Sequence, residues 1–101
     1  MINKIHLLKC VQPHFDDLKS GEKTYELRKN DRDYQVGDIL VLTLFDPETY
    51  QYDNCQQILT EITQMLDDQT YLQPGYVALG IKPPIHITKS GISFKIPTIM
   101  R

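Results

Sequence analysis

The 101-residue chain predicts an α+β domain that is mostly β: a small barrel-like sheet of about five or six strands, one short helix and a C-terminal hairpin. Three observations predict it. Short apolar runs alternate with period two along much of the chain. Clusters of Gly, Pro, Asn and Asp separate those runs at short intervals, as tight turns require. A helical spacing is unambiguous only once, after Pro13. The length suits one domain, and 41% hydrophobic with 24% charged residues matches an ordinary globular composition.

Ile5 to Val11 reads as the first strand, short and mostly apolar. Pro13 is suited to open a helix, whose face carries Phe15 and Leu18 three residues apart. Gly21 stands where a left-handed helix end is wanted. From Thr24 the period becomes two, with Thr24, Glu26 and Arg28 on one side and Tyr25 and Leu27 on the other. Asn30 to Asp33 is a turn-rich connection, and Val36-Gly37-Asp38 turns into a strand over Ile39 to Phe45. That strand is apolar on both faces, which predicts a central position or a place in a small barrel. Asp46-Pro47-Glu48-Thr49 carries turn chemistry.

Residues 58–66 are ambiguous. Ile58, Leu59, Ile62, Met65 and Leu66 fall at helical spacing, whereas β-branched Ile58, Thr60, Ile62 and Thr63 disfavour a helix and no N-cap precedes them. Gln73-Pro74-Gly75 is a turn before a strand over Tyr76 to Ile81, which Pro83 and Pro84 stop. Ile85 to Thr88 and Ile92 to Ile96, joined by Lys89-Ser90-Gly91, read as a hairpin with alternating faces.

Composition excludes several functions. No run approaches the ~18 apolar residues of a membrane helix, and the first ten residues are too polar for a signal peptide, so no membrane partner is expected. Cys10 and Cys55, with no CxxC spacing, read as reduced thiols of a cytoplasmic protein. His6, His14 and His86 have no metal-ligand spacing, and no phosphate-loop, dinucleotide or nucleophile-elbow motif occurs, so neither metal nor cofactor is implied.

Charge is unevenly placed. Residues 1–81 hold seven Lys/Arg against all thirteen acids, whereas residues 82–101 hold Lys82, Lys89, Lys95 and Arg101 with no acid. A basic end on an acidic body fits a nucleic-acid contact, and it fits equally a solvated hairpin protected from edge pairing by lysines. A second concentration lies at residues 22–34, EKTYELRKNDRDY, which hold eight of the chain's twenty-four charges in balanced sign. On a solvated face the Glu26–Arg28 pair needs no explanation. In a cleft, the same face offers a carboxylate acceptor, a planar guanidinium and the mobile ammonium of Lys23, a set suited to a base with its phosphate or to proton transfer. Periodicity leaves both readings open.

The run SGEKTYELR (residues 20–28) resembles the GxKxxExR signature of the ASCH domain, a member of the PUA-like superfamily. HLLK (6–9), SGEKTYELRKNDRDYQVGDIL (20–40) and PGYVALGI (74–81) together resemble more specifically the bacterial and phage group called domain of unknown function 3850. Leu7 stands where that group usually has an acid, and the hairpin after Lys82 lies outside the pattern. The resemblance implies a PUA-like pseudobarrel over residues 1–82, with residues 83–101 as a hairpin extension. It implies a strand at 55–66. It also turns the signature face inward, making Lys23, Thr24, Glu26 and Arg28 cleft residues with Asp31 and Arg32 at the rim, and leaves Lys29 and Asp33 as turn charges.

The resemblance further implies binding of RNA or a modified nucleotide. Separately, the basic end makes Lys82, Lys89 and Lys95 candidate phosphate contacts and the hairpin a candidate homodimer contact. One branch of the superfamily hydrolyses acetylcytidine with the signature lysine, a threonine three residues later and a more distant glutamate. Here Glu26 occupies the threonine position and no glutamate follows Glu61, so Lys23 and Glu26 would serve, with Asp67 or Asp68 as the candidate substitutes for the distant glutamate. A small nucleic-acid-binding module is therefore the leading expectation. A nucleoside amidohydrolase using Lys23 and Glu26, and a phage or bacterial protein-interaction domain, are the alternatives.

Overall fold

The computed structural model describes residues 3–88 and 91–94, without the side chains of residues 54–55 and 91–94. The described elements run β1 (Ile5–Cys10), α1 (His14–Ser20), β2 (Tyr25–Lys29), β3 (Ile39–Asp46), β4 (Gln51–Leu66), β5 (Tyr76–Ile81), β6 (Ile85–Thr88) and β7 (Gly91–Phe94). The fold is α+β and mostly β, with five strands in the path β1-β3-β4-β5-β2 and the hairpin β6–β7 added to β4. No described helix is long and apolar enough to cross a membrane.

β3 is central, parallel to β1 and antiparallel to β4, in keeping with its two apolar faces. The ambiguous stretch is part of β4. Ile58, Thr60 and Ile62 are all buried, a period of two, while Leu66 is exposed, so the helical spacing of Leu59, Met65 and Leu66 marks no common buried face. β4 pairs with β3 through Glu61 and with β5 from Ile62 onward. The β3–β4 ladder shifts register between Thr43 and Leu44, and the β4–β5 ladder between Ile62 and Gln64 beside the change of partner, as bulges do. β6 pairs with Gln56 to Leu59 of β4.

α1 buries Phe15 and Leu18 completely, contributing about 2 kcal/mol of hydrophobic stabilisation each. Asp16 and Asp17 complement the positive end of its dipole. Gly21 ends it at φ 84°, donating its N–H to the Leu18 carbonyl; a side chain would be strained there. Phe15 and Leu18 join Leu8, Leu40, Leu42, Ile58, Ile62, Val77 and Leu79 in one core.

A buried polar contact ties the starts of β1 and β3 together. His6 Nε2 lies 2.8 Å from Asp38 Oδ2, and Asp38 also accepts the backbone N–H groups of Lys4 and Gln35. Burial alone would raise the Asp38 pKa, but these bonds, that to His6 foremost, hold it below the usual carboxylate value. The Tyr34 ring packs on His6 at 4.7 Å between centroids.

The sheet differs from a closed barrel. β1 and β2 end the strand path and share no backbone ladder. A side chain spans the gap instead: Arg28 Nη2, from β2, donates to the Lys9 carbonyl of β1 at 2.8 Å.

Candidate functional site

β2 reverses the ordinary alternation of a surface strand. Its apolar Tyr25 and Leu27 are each 52% exposed, whereas Glu26 is 4% exposed. Register explains the reversal. Glu26 pairs with Leu79 and Arg28 with Val77, and both partners are fully buried core residues. A slip of one residue would turn the charges out and Tyr25 and Leu27 in. The polar face of the signature therefore faces the seam between β2 and β1.

Residues two apart on a strand start about 7 Å apart, and here their side chains close that distance. Arg28 Nε donates to Glu26 Oε2 at 2.7 Å, and Lys23 Nζ lies 3.7 Å from Glu26 Oε1. Both carboxylate oxygens are thus engaged by cations. Lys23 sits on the turn that α1 feeds, its N–H bonded to the Asp17 carbonyl. Its ammonium also reaches His14 Nδ1 at 3.2 Å and lies 5.2 Å from the centre of the Tyr25 ring. An ammonium only donates, so in this contact His14 Nδ1 is the acceptor.

These groups line a cleft of about 500 Å³ with Lys9, Cys10, Lys29 and Tyr76. A second hollow of about 360 Å³ shares His14, Lys23 and Tyr25 with it. Lys9, Lys23, Arg28 and Lys29 set against Glu26 leave the cleft at +3, on a chain whose net charge is −2. Cys10 is no nucleophile at neutral pH. Burial first, and then the Glu26 carboxylate, push its thiol up to about 12, against the opposing pull of Arg28 and Lys23.

Of the residues singled out from sequence, Lys23, Glu26 and Arg28 converge on the cleft. Thr24 is exposed and does not line it; its carbonyl accepts the Ile81 N–H. Asp31 and Arg32 are exposed on the connection after β2 and do not line it. Lys29, read from sequence as a turn charge, is a lining residue. Asp33 lies 3.5 Å from Lys4. Lys82 lies 3.2 Å from Glu61, which already matches its charge. Lys89 and Lys95 are outside the described residues.

Sequence reasoning missed His14, Lys9, Tyr25 and Tyr76. The alternation of β1 and β2 shows Lys9 and Tyr25 as outward-facing, but not that they rim a seam. No local pattern brings His14 to Lys23 across the helix and its turn. Among the described residues no group of three His, Cys, Asp or Glu side chains could hold a metal.

An uncharacterised 12.9 kDa protein of Escherichia phage P2, from the region 3′ of GpA, is 33% identical over 67 residues, 66% of this chain. The alignment spans 62% of that relative's own length. The family model described as a domain of unknown function, DUF3850, matches residues 5–81, which include every strand of the seam and all three converging signature residues. The chain belongs to the DUF3850 family.

Proposed function

We propose that the chain is a small nucleic-acid-binding module that takes a base and its phosphate, from RNA or a modified nucleotide, into the cleft between β1 and β2. The observation that carries this reading is the +3 cleft on a −2 chain. A concave site with a net positive lining attracts anionic ligands from a distance. Its volume lies within the roughly 300–1,000 Å³ of small-ligand sites. Tyr25 and Tyr76 supply aromatic surface at the same cleft for a base. The ASCH-like signature at residues 20–28 agrees with this reading.

Binding is favoured over hydrolysis by the state of the two candidate catalytic groups. Glu26 has both oxygens occupied by cations, and Lys23 donates to His14, so neither is poised to accept a proton. Arg28 Nη1 has no partner among the described residues, and that leaves it for a ligand.

The test is fluorescence anisotropy with a panel of short RNAs and DNAs at ~50 mM salt. Binding should weaken with added salt, at a log–log slope of roughly 0.7 per phosphate contacted on a single strand. Lys23→Gln should weaken it. No binding up to ~100 µM, the ordinary non-specific range, would sink the reading. Release of product from acylated cytidine, abolished by Lys23→Ala in a folded protein, would replace it with the hydrolase.

A further inference from the structure

We infer that the β3–β4 turn carries a second nucleotide subsite, a stacking platform of Tyr50 and Tyr52 reached through Lys9. The preferred ligand is then a single-stranded RNA segment of two or more nucleotides rather than a free nucleotide. The inference rests on the cleft reading above and extends it along the strand.

Three aromatic rings meet at this turn. Tyr50 and Tyr52 pack on Phe45 with centroid separations of 5.4 and 4.9 Å, and Phe45 is buried beneath them. The outer two are 77% and 52% exposed. Such a pair, backed by a buried ring, gives a base a firm apolar face.

Tyr50 stands at φ 60°, a left-handed conformation in which Gly or Asn would be less strained than a bulky residue. Turns of this kind commonly place Gly at the left-handed position. A tyrosine kept there, with its ring mostly in solvent, marks a strained residue of the sort that clusters at ligand clamps.

Lys9 connects the two places. Its Nζ lies 4.8 Å from the Phe45 centroid and 5.9 Å from that of Tyr50, and the same residue lines the cleft. A strand with one base in the cleft can set the next phosphate on Lys9 and the next base on Tyr50. Asp46, Glu48 and Asp53 line the hollow on the far side of the platform, together with Phe45 and Tyr52. Their charge repels phosphate from that side and directs the backbone along Lys9.

The test compares a fluorescein-labelled mixed-sequence RNA octamer with a mixture of the four ribonucleoside monophosphates as competitor. It uses wild type, Tyr50→Asn, Tyr50→Phe and Lys23→Gln, each checked for a cooperative melting transition. Asparagine keeps the left-handed backbone and removes the ring. Tyr50→Asn should weaken the octamer by roughly 5- to 150-fold, the usual range for losing one base–aromatic stack, and leave the monophosphates unchanged. Tyr50→Phe should bind as wild type, and Lys23→Gln should weaken both ligands. Wild-type octamer affinity in Tyr50→Asn, or an equal loss for monophosphates, overturns the platform; a loss in Lys23→Gln would still support the cleft. Octamer binding that depends on Tyr50 and not on Lys23 overturns the cleft and keeps the platform. No binding of either ligand by wild type overturns both.

Discussion

Arg28 Nη2 donates to the Lys9 carbonyl across 2.8 Å, joining the two strands that end the sheet path. The same guanidinium holds Glu26 through Nε at 2.7 Å. One side chain therefore closes the seam and neutralises a buried carboxylate, and its loss should be felt in both stability and ligand affinity.

Arg28→Ala should cost about 2–3 kcal/mol, because it strands a nearly buried Glu26 beside Lys23 alone and frees the Lys9 edge. Arg32→Ala, four residues on and exposed, should change stability by less than about 0.5 kcal/mol. Urea unfolding of the two variants is the comparison. Equal midpoints would show that Arg28 does not hold the seam.

The His6–Asp38 contact makes stability depend on acid. The folded Asp38 pKa lies below its unfolded value, so its contribution is full above about 3.9 and is lost as pH falls through the lower folded value. Asp38→Asn should cost about 2–4 kcal/mol at neutral pH and flatten the fall of stability below pH ~4. Thermal melts from pH 2 to 7 of wild type and variant read this. An unchanged slope would place the acid sensitivity elsewhere.

Cys10 should resist alkylation. Its folded thiol titrates near 12, so little thiolate forms at pH 8, and iodoacetamide should modify it only after unfolding. Peptide-level mass spectrometry separates its product from that of Cys55. The raised value also means that Cys10 stabilises the fold below the ordinary thiol pKa, and that this contribution fades as pH climbs toward 12. Rapid labelling of Cys10 in the folded protein at pH 8 would contradict the burial.

Residues 83–101 can be tested as an extension. Deleting them uncovers the β4 edge from Gln56 to Leu59 and removes the His86 ring from beside Phe15, 6.2 Å away. Residues 1–82 should keep the fold, with a lower melting temperature and concentration-dependent self-association through the open edge. Burial, then Lys19, holds the His86 pKa below the ordinary imidazole value, so its contribution is full above about pH 6.5 and is lost as pH falls through the folded value. The deletion should therefore also flatten the stability profile below pH 6.5. A truncated chain that fails to fold would make the hairpin part of the domain.

The succession of elements along the chain was mostly legible, because local pattern and turn residues mark most of them. β3 announced its central place through two apolar faces, and α1 its ends through Pro13 and Gly21. β4 was not legible by pattern, because it changes partners at a bulge and its alternation restarts there. The signature residues could be named from the motif, yet periodicity could not tell whether their face met water or the seam.

Local chemistry settled what most segments other than β4 are: alternation makes strands, proline and glycine punctuate the helix, and a charged run marks a concentration of polar groups. Long-range pairing settled what that run does. The register of β2 on β5 sets Glu26 and Arg28 against Leu79 and Val77, and α1 carries His14 to Lys23. The gap between β1 and β2 then gathers Lys9, Lys23, Arg28 and Lys29 around a single carboxylate. None of these neighbours is encoded by spacing along the chain. A cleft is a property of strands that meet without pairing, and only the folded sheet brings such strands together.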